Sequence, residues 1–588
     1  MCGIYGITAH DPEFIQNFIK TCQHRGPDGQ KVWWDPEHTI TLGHNLLSIM
    51  ANPQLSIQPW KTPKGNTLVY NGEIFNYYEL KSKYKDRGFA GITGCDTELL
   101  AWGLDEFGLD FIDEIDSMHG FAYYDKNKKQ LTLSRDHAGI KPVYYAEINE
   151  GLVFGSEIKG MLEKVPGSRH VDTLAMSCLA HTGINATRNT VFKGIKKLLA
   201  GETLVYDIQD KKFVNNKRIF IKPTSTHKFD AEEFRTMANR TVKMCSIGQR
   251  KIGVFLSGGL DSSLVAHELN KIKGPACTFT NKMEPNVITE EDFNSDAHAA
   301  GMLAMSENYN HTVVKITPNN VIDNWDDSIY YMEQPMYNQS VAMYCYTNKV
   351  LAENDIIVTM AGDMGDEILG GYPKYWKMRQ PEYIKRMIGK TKIESWNDVL
   401  KLWMCRIKRP LAGLVIGGDM SKQDVLEELK KLYPDDLWNP KDPVASYMAL
   451  DCVTQVPEEF FNRNDKFGMA YSMEGRFPLA TKMFMSYCMS IPSSEKIGYN
   501  KSETKLPTKK AYKKLLPQSI IRKQKTGWTV PIGYWLTMGK SVELKKFYEK
   551  SLQEKSGLKN IKTSQKAGKA LVPGWIVNDW VKTYKMEI

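Results

Sequence analysis

No stretch of the 588 residues approaches the roughly 18 uninterrupted apolar residues that a membrane helix needs. No Cys-x-x-Cys pair occurs, and the ten cysteines lie far apart. Neither a zinc site nor a disulfide framework is suggested, and the usage fits a reducing, cytoplasmic setting. Excess charge is small: 77 basic against 68 acidic residues leave a net +9, with the two signs interspersed. The concentrated basic patch of a nucleic-acid binder is therefore not indicated. Internal repeats and low-complexity linkers are missing, the "LSGGLDSS" motif lacks the Gly-Lys-Ser/Thr of a Walker loop, and the first residues lack the basic and apolar regions of a secretory signal. What is present is an ordinary globular composition, 42% hydrophobic and 25% charged, in a chain too long for one core. Two to four domains are expected.

The texture changes once along the chain. Up to about residue 210, short alternating apolar runs such as "NTLVYNGEIF", "QLTLSRD" and "GLVFGSEI" predict strands of layered β-sheets, with a helix at "DTELLAWGLDEFG". The charged "DIQDKKFVNNKR" reads as a connection. From about residue 230, helix and strand patterns alternate as in an α/β domain with a parallel sheet, and beyond residue 375 helical patterns dominate. The boundary is placed after residue 215, giving units 1–215 and 216–588.

Three stretches carry chemistry. The first is "MCGIYGI". Cys2 is either a small hydrophobe at a strand end or a nucleophile. Loss of Met1 would put a thiol and a free α-amine on one residue, with reference pKa values of roughly 8.5 and 7.7–8.0. The second is "KIGVFLSGGLDSSLVAHELN": a strand at Ile252–Leu256, a tight Ser257-Gly258-Gly259 turn, then a helix opened by Asp261, Ser262 and Ser263 as capping groups. Glycines and a helix N-terminus suit a pyrophosphate, and Asp261 can hold Mg²⁺ on phosphate oxygens. The third is "DIIVTMAGDMGDEILGGY", where Asp363, Asp366 and Glu367 follow a strand-like run, the place where open α/β sheets bind ligands. Lys525, in "RKQKTGW", can offset charge on a leaving group.

Together with "HRGPDG", "NGEIFN", "CDTE", "RDHAGIKPVYY", "FGSEIK" and "YSMEGRFP", these motifs resemble, in order, glutamine-dependent asparagine synthetases. The resemblance runs from Cys2 to about Trp535. It implies an α+β half, a layered αββα N-terminal-nucleophile hydrolase acting as a class II glutamine amidotransferase. It joins a PP-loop α/β synthetase half with a parallel sheet and a helical C-terminal part. It also decides for Cys2 as nucleophile, with Asn71 (side-chain amide) and Gly72 (backbone N–H) as oxyanion donors. Glu73 and Asp96 would bind the glutamine ammonium within a pocket formed by Leu46, Leu47, Ser48, Ile49 and Met50. Leu256, Ser257, Gly258, Gly259, Asp261, Ser262, Asn281, Ala361 and Gly362 would surround ATP. Asp261 and Asp366 would hold Mg²⁺, and Asp363 and Lys525 would act at the reacting centre. ATP would activate aspartate, or another carboxylate, as an acyl-adenylate, and ammonia arriving through an internal channel would form the amide. The implied partners are these small molecules and, as one compatible assembly, a homodimer. Nucleic acid and membrane are not among them.

The chain departs from the family pattern in both halves, most notably at Leu46, Asp363, Met364 and Thr481. Leu46 stands where an arginine usually binds the glutamine carboxylate, and backbone N–H groups of Ser48–Met50 are expected to replace part of that contact. Asp363 replaces a glutamate and Met364 a glycine, so the acceptor pocket, expected to be bounded by Asp363, Met364, Glu474 and Arg476, is reshaped. Thr481 replaces an aspartate.

Overall fold

The computed structural model describes residues 2–50, 52–286, 293–336, 338–405, 419–500, 502–524, 530–537, 541–553 and 571–587. Two six-stranded antiparallel sheets form the first half. In one, the strand Gly3–Ile7 lies between Gly151–Gly155 and Thr41–Leu46; in the other, Thr67–Ile74 pairs with Ser117–Asp125. Period-two alternation explains the stacking. Ile4 faces the partner sheet in a core with Leu42, Val69, Leu133 and Phe154, while Tyr5 and Ile7 face the opposite way onto Ile15 and Phe18 of the helix Pro12–Thr21. Helices Tyr77–Tyr84 and Asp96–Phe107 cover the outer face of the second sheet through Leu80, Leu99 and Leu104. The result is the expected αββα layering.

The charged stretch read as a connection is instead a hairpin. Lys212–Arg218 pairs with Glu202–Asp207 as the edge strand of the second sheet. Its Lys, Asn and Arg side chains suit an edge that must stay unpaired, and this is why its pattern does not alternate. The boundary expected after residue 215 falls inside this strand, which continues to Arg218.

The second half is built on a five-stranded, wholly parallel sheet in the order Asn310–Ile316, Cys277–Met283, Ile252–Phe255, Val358–Met360, Glu474–Arg476. The last strand is three residues, Glu-Gly-Arg, with no apolar run to betray it. The turn after Ile252–Phe255 needs glycine. Gly258 has φ +66°, and a Cβ there would lie 2.7 Å from the backbone of both Ala300 and Asp296. The helix that follows, Leu260–Lys273, is not capped by Asp261 or Ser262 as expected. Its N-cap is Gly259, and the hydroxyls of Ser262 and Ser263 donate back to the Gly259 carbonyl. At the carboxyl end of the chain, Leu571–Thr583 locks onto Trp325–Met332: Trp325 and Trp575 stack at 3.7 Å and both are fully buried. Each buried indole removes about 150–250 Å² from water, about 4–6 kcal/mol of transfer free energy.

Candidate active sites

Two cavities bear the chemistry. The smaller sits where Gly3–Ile7 begins. Cys2 lines it with Leu46, Leu47, Ser48, Ile49, Met50, Gly72, Glu73 and Asp96. Asn71 stands behind Cys2, its Oδ1 accepting the Cys2 backbone N–H at 2.9 Å. The Asn71 Nδ2 is buried with no partner among the described residues, a donor held ready next to the thiol. Gly72 admits no side chain, since a Cβ would lie 2.2 Å from the Met118 carbonyl. Burial pushes the Cys2 thiol above its usual range, and a proton acceptor is needed to activate it. Arg25, fully buried, donates from Nε to the Cys2 carbonyl at 3.2 Å and from Nη1 to Glu157 and Asp465, which fixes the chain at Cys2.

The walls are acidic. Asp96 accepts from the Tyr70 hydroxyl and the Ile74 N–H, both at 3.0 Å; burial raises its pKa against these bonds. Burial likewise raises Glu73 well above the carboxylate range, opposed by the Arg476 guanidinium bound to its Oε2 at 2.9 Å. Glu474 is a third carboxylate in the wall, and no basic side chain is in the lining among the described residues. Leu46 thus has no cationic stand-in there. The Ser48 N–H, expected to help, is already given to Asp28 Oδ2 at 2.8 Å. Glu474 and Arg476 do not bound the acceptor pocket as expected. Their short strand points them across the domain junction, so Glu474 lines the Cys2 cavity and Arg476 joins Glu73 to Glu474. A three-residue charged strand gave no sequence signal for that reach.

The larger cavity, about 600 Å³, opens at the carboxyl ends of the parallel strands. Ser257, Gly259, Asp261, Ser262, Ala361, Gly362, Asp363 and Asp366 all line it; Leu256 and Gly258 are not among its lining residues. Asn281 is elsewhere: its Oδ1 accepts from Thr347 Oγ1 at 3.1 Å, which turns the amide into the core. Lys525 and Met1 lie outside the described residues. Met364 is buried in the left-handed region at φ +79°, a position that favours glycine, and it fills the wall beside Asp363.

Asp261 and Asp366 converge on one point, where the Lys505 ammonium binds both, at 2.6 Å from Asp366 Oδ1. Glycines make the room: a Cβ on Gly371 would lie 1.8 Å from Asp366 Oδ1, and one on Gly365 2.6 Å from Asp261 Cγ. Two buried carboxylates already gathering one cation fit Mg²⁺ as hard oxygen donors, with phosphate oxygens and water completing its shell. Sequence reasoning missed Lys505, whose role depends on a fold contact 244 residues away.

An αββα domain with a cysteine at the head of its first strand, fused to a parallel α/β domain with a carboxylate-lined cleft, has the architecture of an amidotransferase–synthetase. Residues 1–218 match the glutamine amidotransferase domain family and residues 233–575, more than half of the chain, the asparagine synthase family. The chain belongs to the asparagine synthase family. It is 26% identical over 566 residues to glutamine-hydrolyzing asparagine synthetase 3 of Bacillus subtilis, covering 90% of this chain and 86% of that one. It is 23% identical over 572 residues to glutamine-hydrolyzing asparagine synthetase B of Escherichia coli, covering 94% and 86%.

Proposed function

We propose that this chain makes asparagine from aspartate, ATP and an amide nitrogen taken from glutamine. The observation that carries the reading is the pair of cavities: a cysteine with an orphaned amide donor in one, two converging carboxylates in a nucleotide-sized cleft in the other. The Cys2 thiolate attacks the glutamine amide carbon. Asn71 Nδ2 and the Gly72 N–H take the oxyanion, ammonia leaves with the added proton, and water hydrolyses the thioester to glutamate. Glu73 and Asp96 receive the substrate ammonium. In the cleft, a β-carboxylate oxygen of aspartate attacks the α-phosphorus and pyrophosphate leaves. Ammonia then attacks the acyl carbon, AMP departs and a proton is lost. Asp261 and Asp366 would hold Mg²⁺, which when bound neutralises phosphate charge. The backbone of the Ser257–Gly259 turn orients the phosphates, and Lys525 sits in the motif assigned to the leaving group. Ten unpaired cysteines suit the reducing cytoplasm.

A second reading has its own observation. With Leu46 in place of a cation and three carboxylates in the wall, glutamine is held by its ammonium half alone, and free ammonia competes as nitrogen source. The test is Cys2→Ala, assayed for asparagine with either nitrogen donor. Glutamine-dependent synthesis is expected to vanish and ammonium-dependent synthesis to persist, and intact mass of the active wild type should show Met1 removed. Loss of both activities would contradict the two-site scheme.

A further inference from the structure

The helix Leu571–Thr583 does more than pack on the second half, because its last turn sits between the two halves of the chain. Trp580 is 1% exposed, and its ring meets Phe192 of the first half at 5.4 Å between centroids. Just beyond the helix, Tyr584 packs on the same Phe192 at 5.2 Å, and its carbonyl accepts from Arg169 Nη1 at 2.6 Å. The indole N–H of Trp580 donates to the Glu333 carbonyl at 2.8 Å. Trp575, five residues earlier, differs. It stacks on Trp325 of the second half, and its N–H has no hydrogen-bond partner among the described residues.

Glu333 ends the helix Trp325–Met332 at φ +63°, in the left-handed region, and is fully buried. A residue other than glycine persists there only where its surroundings over-determine it. Those surroundings belong to the first half: the Glu333 carboxylate accepts the backbone N–H of Ile158 at 3.0 Å and that of Lys159 at 2.8 Å. Burial opposes its ionisation, but the Lys159 and Lys466 ammoniums hold it below the usual carboxylate range. Glu157, the residue before this clamp, binds Arg25 Nη1 at 3.0 Å, and Arg25 Nε holds the Cys2 carbonyl at 3.2 Å. A run of buried hydrogen bonds, with one peptide link in it, therefore leads from the Trp580 indole to Cys2. In a low-dielectric interior each bond of such a run strengthens its neighbours, and losing one loosens the rest.

We propose that Trp580 and Glu333 are positioning residues for Cys2. The indole fixes Glu333, Glu333 pins the backbone at 157–159, and Glu157 and Arg25 then hold the Cys2 thiol in register with the Asn71 amide. The helix Leu571–Thr583 thus serves glutamine hydrolysis from outside the Cys2 cavity and from the far end of the sequence. This rests on the glutamine-hydrolysing reading of that cavity and adds to it two residues that touch no substrate.

The test compares three variants of the full chain. Trp580→Phe keeps a ring on Phe192 and removes the N–H. Glu333→Gln keeps the volume and turns one acceptor oxygen into a donor facing the Ile158 and Lys159 N–H groups. Trp575→Phe, on the same helix, removes indole area without touching the link to Glu333. The readouts are kcat and KM for glutamine hydrolysis, ammonium-dependent asparagine synthesis and melting temperature. In Trp580→Phe the kcat for hydrolysis should fall about fivefold, the worth of one hydrogen bond, and in Glu333→Gln at least about tenfold. The KM for glutamine should stay within about twofold in both, because Glu73 and Asp96 are untouched, and ammonium-dependent synthesis should hold equally well in Trp580→Phe. Trp575→Phe should lower the melting temperature yet hydrolyse glutamine at the wild-type rate. An unchanged kcat in Trp580→Phe and Glu333→Gln, an equal loss of kcat in Trp575→Phe, or a parallel loss of ammonium-dependent synthesis in Trp580→Phe overturns the assignment. So does a rise in the KM for glutamine with kcat unchanged. Should Trp580→Phe fail to fold, Glu333→Gln and Trp575→Phe decide on the same constants. A wild type that hydrolyses no glutamine refutes the glutaminase reading and the proposal together, whereas an active wild type with unaffected variants refutes the proposal alone.

Discussion

At the scale of single residues, the Cys2 cavity, proposed to take glutamine, is walled by Glu73, Asp96 and Glu474 and has no basic side chain among its described lining residues. Leu46 ends the strand Thr41–Leu46 and is nearly buried against the cavity. Leu46→Arg would supply a fork worth roughly 1.5–3 kcal/mol per charge-assisted bond. The Michaelis constant for glutamine is expected to fall by up to about a hundredfold with little change in turnover. No change in steady-state kinetics would mean that another cation already serves. A second residue sets acid stability. His119 is buried between the hydroxyls of Ser117 (2.8 Å) and Ser134 (3.2 Å), and burial pushes its pKa down to about 4, against the attraction of Asp136. Between pH 6.5 and 4 the unfolded chain binds a proton that the native state refuses, so stability falls as pH falls through this window. At about 1.36 kcal/mol per unit, some 3 kcal/mol is lost by pH 4. His119→Gln should flatten that part of the curve of denaturant midpoint against pH. An unaltered slope would assign the acid loss to other groups.

At the scale of elements, the legible parts were those whose local chemistry has no other use. The Ser257-Gly258-Gly259 turn could be read because only glycine tolerates the backbone contact with Ala300 and Asp296. The carboxylates of the second loop could be read because they follow a strand in an α/β pattern. Three elements could not be read. Lys212–Arg218 carries edge-strand charge instead of alternation, Glu474–Arg476 is too short to show a period, and Asn281 turns inward because Thr347 offers it a bond. Lys505 was equally silent, since it lies in no motif and meets Asp261 and Asp366 only through the fold. For the loop elements, Asp261→Asn and Asp366→Asn should each lower acceptor-dependent pyrophosphate release by more than about tenfold, the loss of one strong ionic contact. Glutamine hydrolysis in the other domain should continue. Wild-type pyrophosphate release in either variant would remove the pair from the proposed metal site.

At the scale of the whole molecule, the two cavities share a strand. Met360 and Arg476 are partners in the parallel sheet, and the N–H of Ala361, where the loop lining the larger cavity begins, donates to the Arg476 carbonyl at 3.3 Å. The guanidinium of the same Arg476 reaches the other way, to Glu73 at 2.9 Å and Glu474 at 2.6 Å, both in the Cys2 cavity. Leu47 and Ile49 of the Cys2 cavity pack on Val358 and Met469 of the second domain, so neither wall is complete without the other half of the chain. A displacement of the loop that begins at Ala361 would therefore pass to Glu73, the carboxylate proposed to receive the glutamine ammonium, through one residue. Arg476→Met should take from buried Glu73 the guanidinium that holds its Oε2, a loss of about 3–5 kcal/mol that appears as a lower melting temperature. Adding Glu73→Gln should recover part of that stability, because the uncompensated charge is then removed. The functional readout separates coupling from simple destabilisation. In wild type, glutamine hydrolysis is expected to speed up when ATP and acceptor are added; in the double variant it should run at a rate that ATP and acceptor no longer change. A double variant that is stable and still responds to the acceptor would show that the two reactions communicate by some route other than Arg476.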